Sequence, residues 1–450
     1  MLQHSKKANN RPNILFIITD QQRHDAVGYI NPMIKTPNLD SLARQSVVFT
    51  NAFVQSPQCQ PSRASIWTGR YPTAHKVWWN ETYLSMSERT IANVLRDADY
   101  DTAYFGKFHV ENDDSAAALA KHFGFNLSYL MEDWSAFIRQ PSPSSFNYYP
   151  DTTALQTIKH KYATVREEFY GSMGNPSWTG SFTNKELHHD EVITDNAVSY
   201  ILKAKEPFFA VVSYHGPHPP YAAPSEYSAL YDKTKMTVPT VRIPNTTGYL
   251  MSDDDWRETK AQYYGAVSWI DDNIGKLLRA APNAVVVFMS DHGDMLGDHG
   301  HFSKGIYAYD GNTRIPLIIR FPDFNGYTYT KLTQAIDIFP TLCGIANVRI
   351  PSNVQGVDLK DHILQDSVAN HEVVSMLCHF DRLRMIRTEN WKYWISGMDE
   401  YLFDLHSDQD ENHNVAKDPK YESLLHHARF SLLKKLIKCE DPHPIPRKPG

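Results

Sequence analysis

Two stretches of this sequence end in the same way. "NILFIITD" (13–20) and "AVVVFMSDHG" (284–293) are β-branched and aromatic runs that stop at a carboxylate. A run that is apolar at every position, rather than at alternate ones, predicts a strand covered on both faces. That is the setting of a parallel sheet with helices on either side. Asp20 and Asp291 would then stand at the carboxyl ends of buried strands, where open α/β sheets hold their ligands.

The rest of the chain fits this frame. "TAYFGKFH", "PFFAVVSY" and "IPLIIRF" read as further strands. Between the strands lie helical stretches: "NLDSLARQ", "SERTIANVLRDADY" with an N-cap at Ser87 and apolar Ile91, Val94 and Leu95, "DEVITDNAVSYILKAK", and Trp256 to Ala281. The expected fold is α/β, a large mostly parallel sheet sandwiched by helices. After about Val357 the texture changes. "LRMIRTENWKYWI" and "EYLFDL" look like antiparallel strands, and "ESLLHHARFSLLKKLIKC" like a closing helix. The expected division is a catalytic domain over 1–356 and a smaller C-terminal α+β subdomain over 357–450. An irregular, aromatic-rich insertion is expected at about 111–185.

Bulk properties narrow the function. At 450 residues the chain exceeds one ordinary core, and 42% hydrophobic residues are enough to build a large one. A formal net charge of −6 argues against nucleic acid as a partner. Cys59, Cys343, Cys378 and Cys439 show no paired spacing, which argues against a disulfide framework. The apolar run Ile14 to Ile18 is too short for a signal peptide or a membrane span. A cytoplasmic protein without a membrane partner is expected, or a secreted or periplasmic one if a leader has been removed.

Reactive side chains gather at the predicted strand ends: Asp20 and Gln21, Lys107 and His109, His215 and His218, Asp291 and His292, then Lys304. Each alone has a plainer reading as a cap, a turn or a surface residue. Together, two carboxylates with amide and imidazole neighbours suit one divalent cation. Lysines and histidines around it suit an anionic tetrahedral substrate, with an imidazole or ammonium as general acid. Cys59 stands apart. A thiolate is an odd ligand for a hard cation, and the residues alone leave core filler, nucleophile and ligand open.

"CQPSRASIWTGR" (59–70) resembles the signature of the type I, formylglycine-dependent sulfatases of the alkaline phosphatase-like superfamily: Cys-x-Pro-Ser-Arg followed by Thr-Gly-Arg. "RPNILFIITDQQR", "GKFH", "GPHPPY", "SDHGDMLGDHGHFSKG", "AIDIFPTL" and "YLFDLHSDQDENHNVA" resemble further family segments, in family order and over nearly the whole chain.

The resemblance implies that a maturase oxidises Cys59 to formylglycine, with Pro61 and Arg63 as recognition determinants. One hydroxyl of its hydrate attacks sulfur, and the other collapses to the aldehyde to release sulfate. Asp20, Gln21, Asp291 and His292 match the metal ligands. Calcium is the family default, and the imidazole adds manganese and magnesium. Lys107, His109, His218 and Lys304 match the residues that hold sulfate and protonate the leaving group. Arg63 matches a support of the nucleophile, and Asn80 in "VWWNET" a substrate contact. His215 has no assignment.

The implied activity is hydrolysis of a small-molecule or saccharide sulfate ester. The alternatives are a formylglycine-dependent phosphonate monoester hydrolase or phosphodiesterase, and a silent binding protein of the same fold. Trp134, Tyr148, Tyr149 and Trp178 either offer platforms for the substrate or pack the insertion.

Overall fold

The computed structural model describes residues 11–110, 116–131, 177–245, 247–364, 373–376 and 382–440. In chain order the first strands are β1 (Ile14–Asp20), β2 (Val47–Phe53), β3 (Asp101–Gly106), β4 (Leu127–Leu130), β5 (Thr179–Phe182), β6 (Phe208–Pro217), β7 (Tyr221–Pro224) and β8 (Val285–Ser290). There follow β9 (Arg314–Arg320), β10 (Thr328–Tyr329), β11 (Thr333–Gln334), β12 (Val373–Met376), β13 (Arg384–Arg387), β14 (Trp391–Ser396) and β15 (Asp399–Asp404).

The main sheet has nine strands in the order β10-β2-β9-β8-β1-β6-β3-β4, with β11 also on β2. β1 lies at its centre, parallel to both β6 and β8. The exception to parallel pairing is β9, which runs antiparallel to β8 and β2. Every residue of β1 is buried, as a strand covered on both faces requires. Ile14, Phe16 and Ile18 face one core with Trp67 of the helix Cys59–Thr68. Leu15 and Ile17 face the other, with Ile193 of the helix His189–Ile201 and Trp269 of the helix Asp253–Ala280.

A second, four-stranded antiparallel sheet runs β12-β13-β14-β15. The closing helix Glu422–Cys439 covers it through Leu425, Ala428 and Leu432. Among the described residues the small parallel pair β5–β7 completes the sheets. Among the described residues no helix is long and apolar enough to cross a membrane.

Three expectations shift. The helix expected to be capped by Ser87 is Ile91–Arg96, capped instead by Thr90. Thr90 and Asn93 form a reciprocal capping box, and Thr90 also bonds to the Phe123 carbonyl, so tertiary packing selects the later cap. The long helix starts earlier than Trp256, at Asp253, behind a Ser252–Asp255 capping box. Part of the expected irregular insertion is regular: the helix Ala116–His122 leads into β4, an edge strand parallel to β3. β4 is only partly buried, so it carries no strong apolar run. Trp134, Tyr148 and Tyr149 lie outside the described residues. Trp178 packs edge-on against Phe302, with ring centroids 5.4 Å apart.

The two sheets are joined by buried charge. Lys392 is fully buried, with Nζ 2.8 Å from Asp310 and 2.7 Å from Glu411. One ammonium serves two acids. Burial pushes Glu411 up to about 7, and Asp310 adds to this against the pull of Lys392. An acid raised above its unfolded value stabilises the fold while protonated. That contribution is full below the ordinary carboxylate range and is lost as pH rises through about 7. Melting curves should therefore show a Tm that falls between about pH 5 and pH 7.5 and a flatter profile for Glu411→Gln. An identical slope in the two proteins would contradict this assignment.

Candidate active site

The site is assembled from strand ends and one helix start. Asp20 closes β1, and Asp291 and His292 follow β8 directly. β3 ends at Gly106, whose φ is +105° and whose hypothetical Cβ would lie 1.9 Å from the Ser213 carbonyl oxygen. Only glycine lets β3 approach β6 so closely there. The next residue, Lys107, donates its backbone N–H to that same carbonyl at 3.0 Å. The helix Cys59–Thr68 stops at Gly69, which is left-handed (φ +65°). Its first turn is held from outside: Asn80 Oδ1 accepts the Gln60 N–H at 3.1 Å, and the Ser62 hydroxyl donates to the Asp291 carbonyl. Cys59 thus begins a helix aimed at the sheet's carboxyl edge, where the helix dipole favours negative charge.

At the centre Asp20 and Asp291 are both fully buried. Arg63, likewise 0% exposed, bridges them: Nε donates to Asp291 Oδ2 at 2.9 Å and one terminal nitrogen to Asp20 Oδ2 at 3.1 Å. Its other terminal nitrogen donates to the Lys107 carbonyl and to Ser213 Oγ, both at 2.8 Å. Lys107 Nζ adds a second cationic group, 2.7 Å from Asp20 Oδ2.

The Oδ2 atoms are therefore committed to these cations, Asp291 Oδ1 also accepts the Gln21 N–H at 3.0 Å, and the two Oδ1 atoms are turned toward His292. They lie 3.8 and 3.7 Å from His292 Nε2. His292 Nδ1 donates to the Gly293 carbonyl at 2.8 Å, so Nε2 is the ring nitrogen turned toward the acids. Gln21, left-handed at φ +67°, has its amide nitrogen 2.6 Å from Asp294 and 2.9 Å from Ser303. That fixes its Oε1 toward Lys304 Nζ, at 2.9 Å. Two carboxylate oxygens and an imidazole nitrogen form a donor set that fits a divalent cation, with the Gln21 amide oxygen beside Lys304. Asp20, Asp291, His292 and Cys59 place their donor atoms within 4.8 Å of one another.

Burial raises Asp291, and the charge of Asp20 adds to it. Burial and Cys59 also push Asp20 up, but Lys107, His218 and Arg63 outweigh them and hold it well below the usual carboxylate range.

The sulfur of Cys59 sits beside this cluster. Lys304 Nζ lies 3.0 Å away, His292 Nε2 3.2 Å and Asp20 Oδ1 3.6 Å. His109 and His218 also hydrogen-bond to Cys59. Burial pushes the thiol up, yet Lys107, Lys304 and His292 together hold it well below its ordinary value. Burial lowers His218 to about 4, with Lys304 and then Lys107 adding to the effect.

Of the strand-end residues expected from sequence, Asp20, His109, His218, His292 and Lys304 gather at Cys59, whereas Lys107, Asp291 and Gln21 join through Asp20, Arg63 and Lys304, and His215 lies against His218. Asn80 joins the site through the Gln60 amide. Two further residues carry no expectation from sequence. Asp294, which also accepts from Tyr221 at 2.6 Å, orients Gln21, and Ser213 orients Arg63. Asp294 stands two residues beyond His292, inside the "SDHGDMLGDHGHFSKG" segment; Ser213 has no sequence signal. With Arg63 replaced by Met, two buried carboxylates lose the guanidinium they share. Removing one partner of a buried ion pair typically costs about 3–5 kcal/mol. Arg63→Met should lower Tm and reduce bound divalent metal in elemental analysis, whereas an unchanged Tm and full metal content would refute the bridging role.

Comparison with known proteins identifies the family. The family described as "Sulfatase" matches residues 12–348, and the "N-sulphoglucosamine sulphohydrolase, C-terminal" family matches residues 297–438. The chain is 31% identical to an ulvan-active sulfatase of Formosa agariphila over 456 aligned residues, covering 96% of this chain and 82% of that protein. It is 29% identical to an arylsulfatase of Clostridium perfringens, covering 96% and 95%. The crystal structure of a phosphonate monoester hydrolase of Agrobacterium radiobacter shares the fold, with a TM-score of 0.79, 24% identity and coverage of 98% and 100%. The chain belongs to the sulfatase family, the sulfuric ester hydrolases of the alkaline phosphatase-like superfamily.

Proposed function

We propose that the chain hydrolyses a sulfate ester to an alcohol and inorganic sulfate, using an oxygen nucleophile made from Cys59 and one divalent cation held by Asp20, Gln21, Asp291 and His292. The observation that carries this reading is the convergence of Lys304, His292 and Asp20 on Cys59 Sγ, at 3.0, 3.2 and 3.6 Å. A thiol is a poor companion for a hard cation. The intact Cys59-x-Pro61-x-Arg63 supports Cys59 as the substrate of a maturase that replaces CH₂SH by the aldehyde of formylglycine. The hydrate of that aldehyde has a hydroxyl to attack sulfur and a second whose collapse releases sulfate. A cation bound beside it supplies Lewis-acid stabilisation of anionic oxygen, and three oxygen donors favour calcium, with manganese or magnesium admitted by the imidazole.

The remaining roles follow from placement. Lys107 and Lys304 are fixed charges acting on Cys59, suited to the non-bridging oxygens of sulfate. Arg63 is a positioning residue, because its guanidinium is committed to the two carboxylates, the Lys107 carbonyl and Ser213. His218 Nδ1 donates to the Pro219 carbonyl at 2.7 Å, which leaves Nε2 to carry the proton for the leaving oxygen. The lysines that lower His218 are those a sulfate anion would neutralise. Substrate binding therefore raises this imidazole toward the range where it can act as an acid. His109, hydrogen-bonded to Cys59, supports the nucleophile and its return to aldehyde.

A sulfate monoester and a phosphonate monoester each carry one negative charge, so a cationic pocket of this kind admits both. The substrate is drawn from saccharide or small-molecule sulfates, the class named in the relatives that act on ulvan and choline sulfate. The deciding experiment uses protein co-expressed with a maturase and assays aryl, choline and sugar sulfates beside a phenyl phosphonate ester. The highest kcat/KM is expected on a sulfate, with loss of activity in Cys59→Ala. Preference for the phosphonate would move the chain to the alternative activity, and an active Cys59→Ala would sink the nucleophile.

A further inference from the structure

Behind His218 lies a buried carboxylate with no part in the chemistry proposed for the site. Asp190, in the first turn of the helix His189–Ile201, is 0% exposed. Its Oδ1 accepts the backbone N–H of His215 at 2.9 Å, and its Oδ2 accepts that of Gly216 at 3.0 Å. His189 Nε2 lies 3.3 Å from the same Oδ1. Beyond this clamp the chain turns back, and the His215 carbonyl accepts the His218 N–H at 3.2 Å.

The rings continue the connection. His189 meets His215 edge-on at 5.2 Å, and His215 packs against His218 at 4.8 Å with a tilt of 54°. A Cβ at Gly216 would lie 2.7 Å from Ile270 Cδ1, the tip of a side chain that would have to shift. His188 is committed elsewhere: its Nδ1 accepts the Asp190 N–H at 3.2 Å and caps the helix. Charge reaches this group from several elements. Lys107 acts on His189 and His215, Asp20 on Asp190 and His215, and Lys304 and Lys107 on His218.

We propose that Asp190, His189 and His215 form a positioning unit for the general acid: the carboxylate fixes the backbone turn, and the two rings fix the angle of His218. The inference rests on the reading of His218 as the acid. It gives His215 a role in catalysis through His218, without contact with the reacting atoms. A displacement of about 1 Å at a reacting group can cost on the order of 10²-fold in rate.

The test measures His215→Ala and Asp190→Asn, alone and combined with His218→Ala, in matured protein on nitrophenyl sulfate and on an alkyl sulfate. Alkyl sulfates need a proton donor far more than nitrophenyl sulfate does. His215→Ala should lower kcat on the alkyl sulfate by about 10–100-fold at little changed KM, with nitrophenyl sulfate slowed ~3-fold or less. In the His218→Ala background the same substitution should add less than about 2-fold.

Equal slowing of both substrates by His215→Ala, or full additivity with His218→Ala, overturns the proposal. Asp190→Asn removes one of the two acceptors and should follow the same pattern. If it does not fold, His215→Ala decides alone, because it leaves the hydrogen bonds of Asp190 to the backbone in place. A His218→Ala enzyme that slows both sulfates equally removes the acid reading and this inference with it. A discriminating His218→Ala beside a non-discriminating His215→Ala removes the inference alone.

Discussion

The site depends on holding two carboxylates, Asp20 and Asp291, close together with no access to water. Like charges at that distance in a buried setting cannot both persist unless something between them is positive. Arg63 supplies that on the outer side, and its planar fork suits the task because it reaches both acids with separate nitrogens. On the inner side the two Oδ1 atoms lie 3.8 and 3.7 Å from His292 Nε2. Much of the surrounding architecture serves this pairing. β1 and β8 are adjacent and in register, so their ends deliver the acids together. The helix carrying Arg63 also carries Cys59, so the group that stabilises the acids sets the distance to the reacting atom.

This coupling accounts for the crowd of cations around one sulfur. Lys107 is tied to Asp20, and Lys304 to the Gln21 amide oxygen and to Cys59. Each lysine is therefore held in place before any substrate arrives, and such preorganised charge is worth most in a site that excludes water. Burial, with the same lysines adding to it, suppresses the charge on His218, so the resting pocket favours a neutral imidazole there.

What the sequence makes legible follows from what each residue must do locally. β1 and β8 are readable because they are buried on both faces, and a short continuous apolar run bounded by polar residues suits a doubly covered strand better than a surface element. Their terminal acids are then placed by topology alone. The C-terminal hairpins and closing helix are readable for similar reasons. β4 is not, because an edge strand with exposed positions leaves no pattern. The cap at Thr90 escapes a local reading because Ser87 satisfies the same rule, and a contact to Phe123 decides between them. Asp190 and Ser213 are invisible for a different reason. Asp190 looks like an ordinary acid in a helix's first turn, and its partners His215 and Gly216 lie 25 and 26 residues away. The role of Cys59 is open on chemistry alone and comes from the resemblance of its flanking residues to a family signature.

The central claim is that residue 59 works as an aldehyde hydrate and not as a thiol. Mass spectrometry of the peptide that carries it, from protein made with and without a maturase, tests this most directly. The account predicts a loss of roughly 18 Da relative to cysteine, the change from CH₂SH to CHO, and activity that scales with the converted fraction. Full activity in protein whose residue 59 is an unmodified thiol would contradict it.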